Sequence, residues 1–481
     1  MLWLALRFPL LPLEIFTRGA AVPGPLAVAT SSAANAEIVI CNSEARQHGI
    51  HAGMPVAAAW ALASGLRIFT RDAPAERAAL ERAAAWALQF TPAVSIAASA
   101  EVLLEVAGSI RLFGGLNRLW TDVERKISAM GYTVRMAGAP TALAAQLFVR
   151  ADLSPRIHHR DALRLSLEQL PASVLDLPAA LSGMLQDIGV RTIAECLRLP
   201  RDGLARRAGG ELVEQLDRAL GHIPDPRPVF LPPGNFKATL QLPAPVASAE
   251  MLLFAARRLI AELCGLLAAT GKGAQRLGFS LSHENGDETR FALDLVAASR
   301  DPAHLASVLR ERLERLALPG PAISLTLQSE RLLPLASCNL SFLPDDREQA
   351  TAFAHLVERL RARLGENAVQ GLDTFADHRP ERAWSTRAPG GENSQRVTWP
   401  SSARPLWLLD PPRPLVTRAE IPQYEGPLSI MTRPERIESG WWDGNDVKRE
   451  YFVARNPAES LLWIYRERRE NGGWYLHGFF S

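Results

Sequence analysis

The sequence contains few of the residues that mark metal-stapled, secreted or membrane proteins. Its cysteines are far apart and form no CxxC pair: Cys41, Cys196, Cys264 and Cys338. This spacing argues against a zinc site and a disulfide framework, and it fits a reducing cytoplasm. No run of eighteen or more apolar residues occurs, so we expect no membrane span. The apolar opening MLWLALRFPLLPLEIF is interrupted by Arg7, which favours a buried first strand over a signal peptide.

Lysine is scarce as well. Of 53 basic side chains, the lysines are Lys126, Lys237, Lys272 and Lys448. Arginine suits forked contacts to phosphate, although a bias in codon composition explains the excess more simply. The net charge of +2 means that nucleic-acid binding would depend on local basic faces. A chain of 481 residues with 47% hydrophobic content predicts two to four globular domains.

Residues 90–115, FTPAVSIAASAEVLLEVAGSIRLFGG, contain a Thr-Pro turn signal, an apolar strand over 102–106 and a glycine-rich exit. The stretch resembles the catalytic strand of Y-family translesion DNA polymerases, where a Ser-Ile-Asp-Glu-Ala block enters a strand and an LFGG-like turn follows. The resemblance places the family's two metal-binding acids at Ala100 and Glu101, so one acid is missing. Two-metal nucleotidyl transfer needs several convergent carboxylates. Glu105 is no substitute, because four strand residues at about 3.3 Å each put it roughly 13 Å from Glu101.

The first strand shows a similar loss. In Y-family polymerases it carries an Asp-x-Asp-x-Phe-Phe-x-x-Val-Glu signature, which supplies a metal ligand and an aromatic gate against ribonucleotides. With Leu13-Glu14 aligned to the Val-Glu end, the two aspartates fall on Ala5 and Arg7, and the aromatic pair falls on Pro9 and Leu10. An alignment slip is the alternative, because only Glu14 and the apolar frame anchor this strand.

Two further segments resemble the family's triphosphate contacts. CNSEARQHGIHAGMP over 41–55 resembles the fingers segment, whose tyrosine and arginine touch the incoming nucleotide. Here Arg46 is retained and Ser43 replaces the tyrosine; a solvated helix arginine is the other interpretation of Arg46. MAGAPTALAAQLFVRA, from Met136, resembles a segment with two lysines, but Ala142 and Gln146 stand at their positions.

The later segments resemble the DNA-gripping parts of the same family. The hairpin Ile188-Gly189-Val190 is typical of a helix-hairpin-helix unit, which presents backbone N–H groups to a DNA phosphate without reading sequence. A plain helical hairpin is the alternative. Helices and strands over 250–329 resemble the little-finger domain, with Lys272 and Arg276 entering a strand that would grip the DNA backbone. A solvated strand edge is the alternative for these two residues.

The residues after 335 add two predicted binding regions. Asn339-Leu340-Ser341-Phe342-Leu343 resembles the peptide by which bacterial polymerases bind the sliding clamp, with two apolar side chains filling a pocket. Residues 378–404, rich in Arg, Pro, Gly and Ser, predict a flexible linker. Three strands are expected near 447–454, 460–466 and 473–479. Their aromatic side chains either pack on another domain or bind a partner, and packing is the simpler expectation.

Together these patterns predict an α+β, multidomain Y-family polymerase architecture with a C-terminal extension. The predicted regions are a palm (1–20 and 72–165), fingers (21–71), a thumb with the helix-hairpin-helix (166–230), a little finger (238–335), a clamp-binding peptide (336–345), a linker (378–404) and a partner-binding module with a small β meander (405–481). The tail resembles that of the non-catalytic Y-family members of bacterial damage-inducible mutagenesis cassettes.

That resemblance implies a cytoplasmic scaffold without a cofactor or a metal. It would bind primer-template DNA and the sliding clamp, and recruit an ImuA-like protein and an error-prone C-family DNA polymerase. Two alternatives remain open at this point. One is an active Y-family polymerase with relocated ligands, and the other is a generic helix-hairpin-helix DNA-binding protein without clamp affinity.

Overall fold

The computed structural model describes residues 1–20, 22–97, 100–208, 210–335, 346–389, 404–469 and 472–480. The chain divides into two compact units, Met1–Arg363 and Leu364–Ser481. Within the described residues, no helix has the length and apolar character required to cross a membrane.

The first unit contains three sheets and a helical region. Its first part consists of β1 (Trp3–Arg7), α1 (Leu11–Thr17), β2 (Leu26–Ala29), β3 (Ile38–Cys41), α2 (Ser43–Gln47), α3 (Val56–Leu62), β4 (Arg67–Thr70), α4 (Ala73–Ala87), β5 (Val94–Ala97), β6 (Glu101–Glu105), α5 (Leu116–Ala129), β7 (Arg135–Ala139) and α6 (Ala142–Arg150). Its second part consists of α7 (Arg160–Glu168), α8 (Ala179–Asp187), α9 (Ile193–Arg198), α10 (Arg201–Ala208), α11 (Gly210–Leu220), β8 (Lys237–Val246), α12 (Ala249–Thr270), β9 (Lys272–His283), β10 (Glu288–Ser299), α13 (Pro302–Arg315), β11 (Ala322–Pro334) and α14 (Asp346–Leu364).

The central sheet is antiparallel, in the order β5-β6-β1-β7. Its apolar strands are buried on both faces: Leu4 and Leu104 pack on the side of α4 and α5, and Ala5 and Leu103 pack on the side of α6. This burial explains the continuous apolar runs in the sequence. The predicted buried first strand is β1, and the predicted strand over 102–106 is β6, shifted by one residue.

A small three-stranded sheet, β3-β2-β4, follows β1 in the chain. Asn42 caps α2 by accepting a hydrogen bond from the backbone N–H of Ala45 at 2.9 Å. Gly53 has a positive φ of 80° and precedes Met54-Pro55, where α3 begins. The helix, glycine turn and Met-Pro helix start predicted from residues 41–55 are therefore present.

The second four-stranded sheet, β10-β9-β11-β8, is covered on one face by α12 and α13. The helix and strand order predicted for 250–329 is observed, and the strands are longer than expected. Helix α12 also packs against α4, where Gly265 meets Trp86: a Cβ on Gly265 would lie 2.2 Å from Cδ1 of Trp86. Helix α14 was not predicted; Glu358 anchors it by accepting hydrogen bonds from the Val296 N–H and from His304.

The second unit is β-rich. Its strands are β12 (Gly371–Thr374), β13 (Trp384–Arg387), β14 (Trp407–Arg418), β15 (Ile421–Gln423), β16 (Ser429–Ile430), β17 (Glu435–Ser439), β18 (Val447–Arg455), β19 (Leu461–Glu467) and β20 (Trp474–Phe479). Strands β18, β19 and β20 are the three predicted strands, and they form part of a seven-stranded sheet, β15-β14-β20-β19-β18-β16 with β17 beside β18.

The first part of the predicted linker 378–404 is corrected by the structure. Strand β13 pairs with β12, and Arg379 is buried in an ion-paired cluster with Asp377 and Asp443. The polar composition of this segment is typical of a linker. The cluster could not be predicted from it, because Asp443, which completes the cluster, is 64 residues away in the sequence. Residues 390–403 lie outside the described residues.

Candidate functional site

Of the four positions at which the family pattern has acids, Ala5, Arg7 and Glu101 lie on the adjacent strands β1 and β6. Arg7 pairs with Glu101 in the strand register, and Ala5 pairs with Leu103. Ala5 is completely buried and packs with Leu103 in the core beneath α6. Among the positions that the structure describes here, one carboxylate is therefore present where several would be needed for two cations.

Both oxygens of that carboxylate are already bound by helix α6. Arg150 donates from Nε to Oε1 of Glu101 at 2.8 Å and from Nη2 to Oε2 at 3.1 Å. Gln146 donates from Nε2 to the same Oε2 at 2.6 Å. Glu101 is fully buried, so this forked ion pair compensates a charge that would otherwise be very costly to bury. Although burial opposes its charge, Arg150 has its pKa held above the ordinary value by Glu101.

Arg7 adds a second guanidinium to the site. Its Nη1 donates to the carbonyl oxygens of Val149 and Arg150, at 3.3 and 3.4 Å. These carbonyls lie at the C-terminal end of α6, where a cation is favoured by the helix dipole. Arg7, Arg150 and Glu101 together carry a net positive charge, which repels a divalent cation.

Ala100 is displaced from this arrangement. Its φ is +57°, its carbonyl oxygen accepts the N–H of Phe8 at 3.0 Å, and its methyl packs against the core on the side of α4 and α5. Glu101 faces the other side, toward α6. Where the family pattern has two neighbouring acids, this chain thus has the methyl group of Ala100, which packs against the core, and the carboxylate of Glu101, which is neutralised by Arg150.

The predicted phosphate contacts are also altered. Arg46 is exposed on α2, and its Nη2 donates to the Cys41 carbonyl oxygen at 3.4 Å. Ala142 is buried at the start of α6, and Gln146 is committed to Glu101. The structure therefore brings together Arg7, Glu101 and Gln146, but not Arg46. Sequence reasoning missed Arg150, although its spacing of four residues from Gln146 places both on one helical face.

The helical hairpin between α8 and α9 has the predicted geometry, with Gly189 at φ +79°. The backbone N–H groups of residues 188–193 already have acceptors within the chain. Those of 188, 189, 190 and 193 donate to carbonyl oxygens, and those of Arg191 and Thr192 donate to the Glu195 carboxylate at 2.7 and 2.9 Å. These two hydrogen bonds lower the pKa of Glu195. A DNA phosphate at this helix N-terminus would compete with the negative charge of Glu195.

The exposed face of the second four-stranded sheet carries charges of both signs. Arg276 pairs with Asp294 at 3.1 Å and with Glu330 at 2.8 Å, and Arg290 pairs with Glu288 at 2.6 Å. Lys272 begins β9, in register with Pro334. This face is therefore not a simple basic surface, and backbone contacts through Lys272 and Arg276 remain a prediction.

The remaining predicted site residues divide between described and undescribed parts of the chain. The clamp-binding peptide, Asn339 to Leu343, lies outside the described residues. In the second unit, Trp463 is 2% exposed and packs in the core of that unit. Trp441 and Trp442 are 79% and 60% exposed and contact each other edge to face.

Comparison with known proteins identifies the relatives of this chain. Residues 22–150 match the impB/mucB/samB family. Protein ImuB of Caulobacter vibrioides, in strains NA1000 / CB15N and ATCC 19089 / CIP 103742 / CB 15, is 29% identical over 459 residues, which cover 90% of this chain and 100% of the relative. The chain is an ImuB homologue. Because the ImuB similarity covers 90% of the chain, it includes residues of both units.

Solved structures of Y-family enzymes are also similar. They include DinB from Sulfolobus solfataricus, with 17% identity and a TM-score of 0.40, and an insertion ternary complex of Dbh DNA polymerase, with 17% identity and a TM-score of 0.39. Each match covers 70% of this chain and 100% of the other. The predicted α+β, Y-family polymerase-like fold of the ImuB homologue is confirmed, together with its β-rich C-terminal extension.

Proposed function

We propose that this ImuB homologue is a non-catalytic adaptor in DNA damage tolerance. It binds primer-template DNA and the sliding clamp, and it recruits an ImuA-like protein and an error-prone C-family DNA polymerase for translesion synthesis and induced mutagenesis. The observation that carries the non-catalytic part is the forked ion pair of Glu101 with Arg150, reinforced by Gln146. The similarity to ImuB supports the adaptor part.

The charges at the site supply the physical reason. A metal ion at Glu101 would have to displace a buried guanidinium and a side-chain amide, and Ala5 offers no second ligand. The displaced Arg150 would lose its carboxylate partner, which typically costs about 3–5 kcal/mol for a buried pair. Arg7 would add further repulsion. The contacts of Glu101 with Arg150 and Gln146 stabilise the site without a metal ion.

Primer extension tests the catalytic alternative. The purified chain, supplied with primer-template DNA, nucleotides and Mg²⁺ or Mn²⁺, is expected to give no extension above a no-protein control, while an active Y-family polymerase extends the primer in the same buffer. Extension that is abolished by Glu101→Ala would show that the chain is an active polymerase. Extension that survives Glu101→Ala would show that ligands elsewhere carry out the reaction.

A pull-down with the purified sliding clamp tests the proposed clamp peptide. Leu340→Ala and Leu343→Ala remove the apolar side chains that would fill the clamp pocket, so each is expected to reduce capture strongly. Ser341→Ala, in the same peptide, is the matched control because it keeps both apolar side chains. Equal capture by all variants would reject the peptide as the clamp site and leave the generic DNA-binding alternative in place.

The exposed tryptophans are the proposed contact for a recruited protein. Trp441 and Trp442 lie in the turn after β17, and the Arg379 guanidinium stands 5.7 Å from the Trp442 ring centre. Buried tryptophan and arginine side chains dominate the binding energy of many protein interfaces. The double change Trp441→Ala/Trp442→Ala is expected to reduce coprecipitation of the ImuA-like protein or the C-family polymerase. Trp407→Ala, which removes another exposed tryptophan, is the control.

A further inference from the structure

A deep groove lies between the helices of the central sheet and the helices of the second four-stranded sheet. It has a volume of about 770 Å³ and is lined by residues of α4, α5, α12 and α13, together with Arg300 before α13. None of the sequence motifs falls in it. It lies on the helical side of the second sheet, away from the exposed face that carries Arg276.

Every charged residue that lines the groove is a cation: Lys126, Arg257, Arg258, Arg300 and Arg310. Arg257, Arg300 and Arg310 are exposed and make no hydrogen bond or ion pair with the described residues. In a chain of net charge +2 with 51 acidic side chains, such a local excess of positive charge is unusual. The charged side chains that line the groove are thus all positive, although Glu250 and Glu314 lie beside Arg257 and Arg310 in the neighbouring pocket. A ligand with negative charge would complement this lining.

A fourth arginine that lines the groove, Arg258, is partly buried. Its Nη1 is buried without a hydrogen-bond partner, and its guanidinium lies 4.3 Å from the ring centre of Phe254. Burial and the nearby Arg18 charge lower the pKa of Arg258 to about 10, although the Glu14 carboxylate acts in the opposite direction. Because the Nη1 nitrogen has almost no accessible surface, a ligand in the groove would contact the exposed arginines Arg257, Arg300 and Arg310 instead.

The floor of the groove is apolar. It is formed by the rings of Trp86 and Phe254 and by small side chains of α12 and α13, among them Ala261 and Ala306. The close approach of Gly265 to Trp86 brings α12 near α4 and closes the bottom of the groove. A strongly hydrated phosphodiester gains nothing from such a floor. An apolar side chain would bury its surface there.

We propose that this groove is a docking site for an acidic peptide segment of a protein partner. One or two apolar side chains of the peptide lie on the floor, and flanking carboxylates pair with Arg257, Arg300 and Arg310. The groove is formed by residues other than those of the proposed clamp peptide and other than the exposed tryptophans, so we propose it as a third binding site. Recognition of an amphipathic segment by a groove with charged rims is a common binding mode.

Selection with a display library of random twelve-residue peptides tests the proposal on the intact chain. The enriched peptides are expected to combine acidic residues with one or two large apolar residues. A synthetic peptide of the enriched sequence is then labelled, and its affinity is measured by fluorescence polarisation. The triple variant Arg257→Glu/Arg300→Glu/Arg310→Glu is expected to bind it at least tenfold more weakly. Ala268→Trp, which fills the apolar floor without a change of charge, is expected to have a comparable effect.

The control is a triple variant with the same change of charge on exposed arginines outside the groove, Arg67→Glu/Arg111→Glu/Arg118→Glu, which is expected to change the affinity less than twofold. The proposal is overturned if no acidic, apolar sequence is enriched, or if the groove variants and the control bind the peptide equally. It is also overturned if a twenty-nucleotide oligo-dT binds the intact chain and loses this binding only in the groove variants, because the groove would then be a nucleic-acid surface.

Discussion

Arg150 and Glu101 form a forked ion pair across the face of the central sheet, with Nε–Oε1 and Nη2–Oε2 distances of 2.8 and 3.1 Å. The carboxylate comes from a strand whose counterpart in the polymerase pattern holds metal ions, and the guanidinium comes from the helix packed over that strand. The pair gives Glu101 a structural role. Carboxylates grouped to hold a metal ion repel one another, whereas Glu101 is stabilised by its neighbours.

We expect Glu101→Ala to destabilise the folded chain by about 3 kcal/mol, because it leaves Arg150 with an unpaired, largely buried charge. The shift is measured from the urea midpoint of the full chain. Glu124→Ala, at an exposed position on α5, is the control and should lie within about 0.5 kcal/mol of the unchanged protein. A neutral or stabilising effect of Glu101→Ala would contradict the structural role.

Glu195 offers a test of DNA binding at the helical hairpin. If a phosphate contacts the N-terminus of α9, Glu195→Gln removes a competing negative charge while its side-chain oxygen still accepts the N–H groups of Arg191 and Thr192. We expect the affinity for primer-template DNA to rise about twofold to fivefold at low salt, in keeping with a helix-terminus charge effect of about 0.3–1 kcal/mol. Fluorescence anisotropy with labelled DNA measures it.

Glu211→Gln, at an exposed position near the start of α11, makes the same change of charge away from the hairpin. If both variants raise the affinity equally, the effect comes from net charge and not from the hairpin. If neither changes it, the hairpin does not contact the DNA backbone, and the alternative of a plain helical hairpin is correct.

Sequence patterns predicted the parts of this fold that depend on local periodicity. Strands β1 and β6, the helix and strand order around α12, and three strands of the C-terminal sheet follow from apolar spacing and turn residues. Pairings between distant side chains could not be predicted in this way. Arg150 contacts Glu101 across 49 residues, and Arg379 contacts Asp443 across 64. Arg379 is buried in an ion-paired cluster, so the first part of the segment predicted as a linker belongs to a folded unit.

The burial of individual tryptophans in the second unit could not be predicted from the sequence either. Trp441 and Trp463 have identical side chains, but one is 79% exposed in a turn and the other is 2% exposed in a strand at the middle of a sheet. An aromatic composition predicts a core, but it does not say which rings enter it. The distinction depends on strand order, which the sequence does not reveal.

A buried charge network joins α12 to the central-sheet layer and gives a third prediction. Glu262 is bound by Arg18 and, at 2.9 Å, by Arg82, and Arg18 also donates to the Met130 carbonyl oxygen. Glu262→Gln leaves the buried Arg18 without its ion-pair partner, so we expect a loss of about 3 kcal/mol. Urea unfolding of the full chain, followed by tryptophan fluorescence, measures the loss.

The double change Arg18→Met/Glu262→Leu is the informative comparison. It removes both buried charges and leaves Arg82, which is partly exposed, in contact with solvent. Replacing a whole buried pair by apolar side chains is often close to neutral, so the double variant should be more stable than Glu262→Gln. The losses of the single variants Arg18→Met and Glu262→Leu are measured as well. If the loss of the double variant equals their sum, the two side chains are not energetically coupled.

The fourth prediction concerns pH and the second unit. His477 is fully buried, and its Nδ1 is hydrogen-bonded to the Tyr451 hydroxyl at 2.8 Å. Burial and the nearby Arg449 charge lower the pKa of His477 to about 4, although the Glu381 carboxylate acts in the opposite direction. As the pH falls, the unfolded chain takes up this proton first, near the ordinary histidine pKa of about 6.5. The stability contributed by neutral His477 is therefore complete above about pH 6.5 and is lost as the pH falls toward 4.

The size of this loss follows from the shift in pKa. At about 1.4 kcal/mol per unit, the difference between the two states is on the order of 3 kcal/mol. Urea unfolding of the full chain between pH 7 and 4, followed by near-ultraviolet circular dichroism, should show it, because Trp463 stacks on the His477 ring at 5.6 Å. His477→Gln keeps a partner for the Tyr451 hydroxyl but cannot titrate, so its stability should fall less over the same range. If the variant and the unchanged chain lose stability in parallel, carboxylates and not His477 determine the acid sensitivity of this unit.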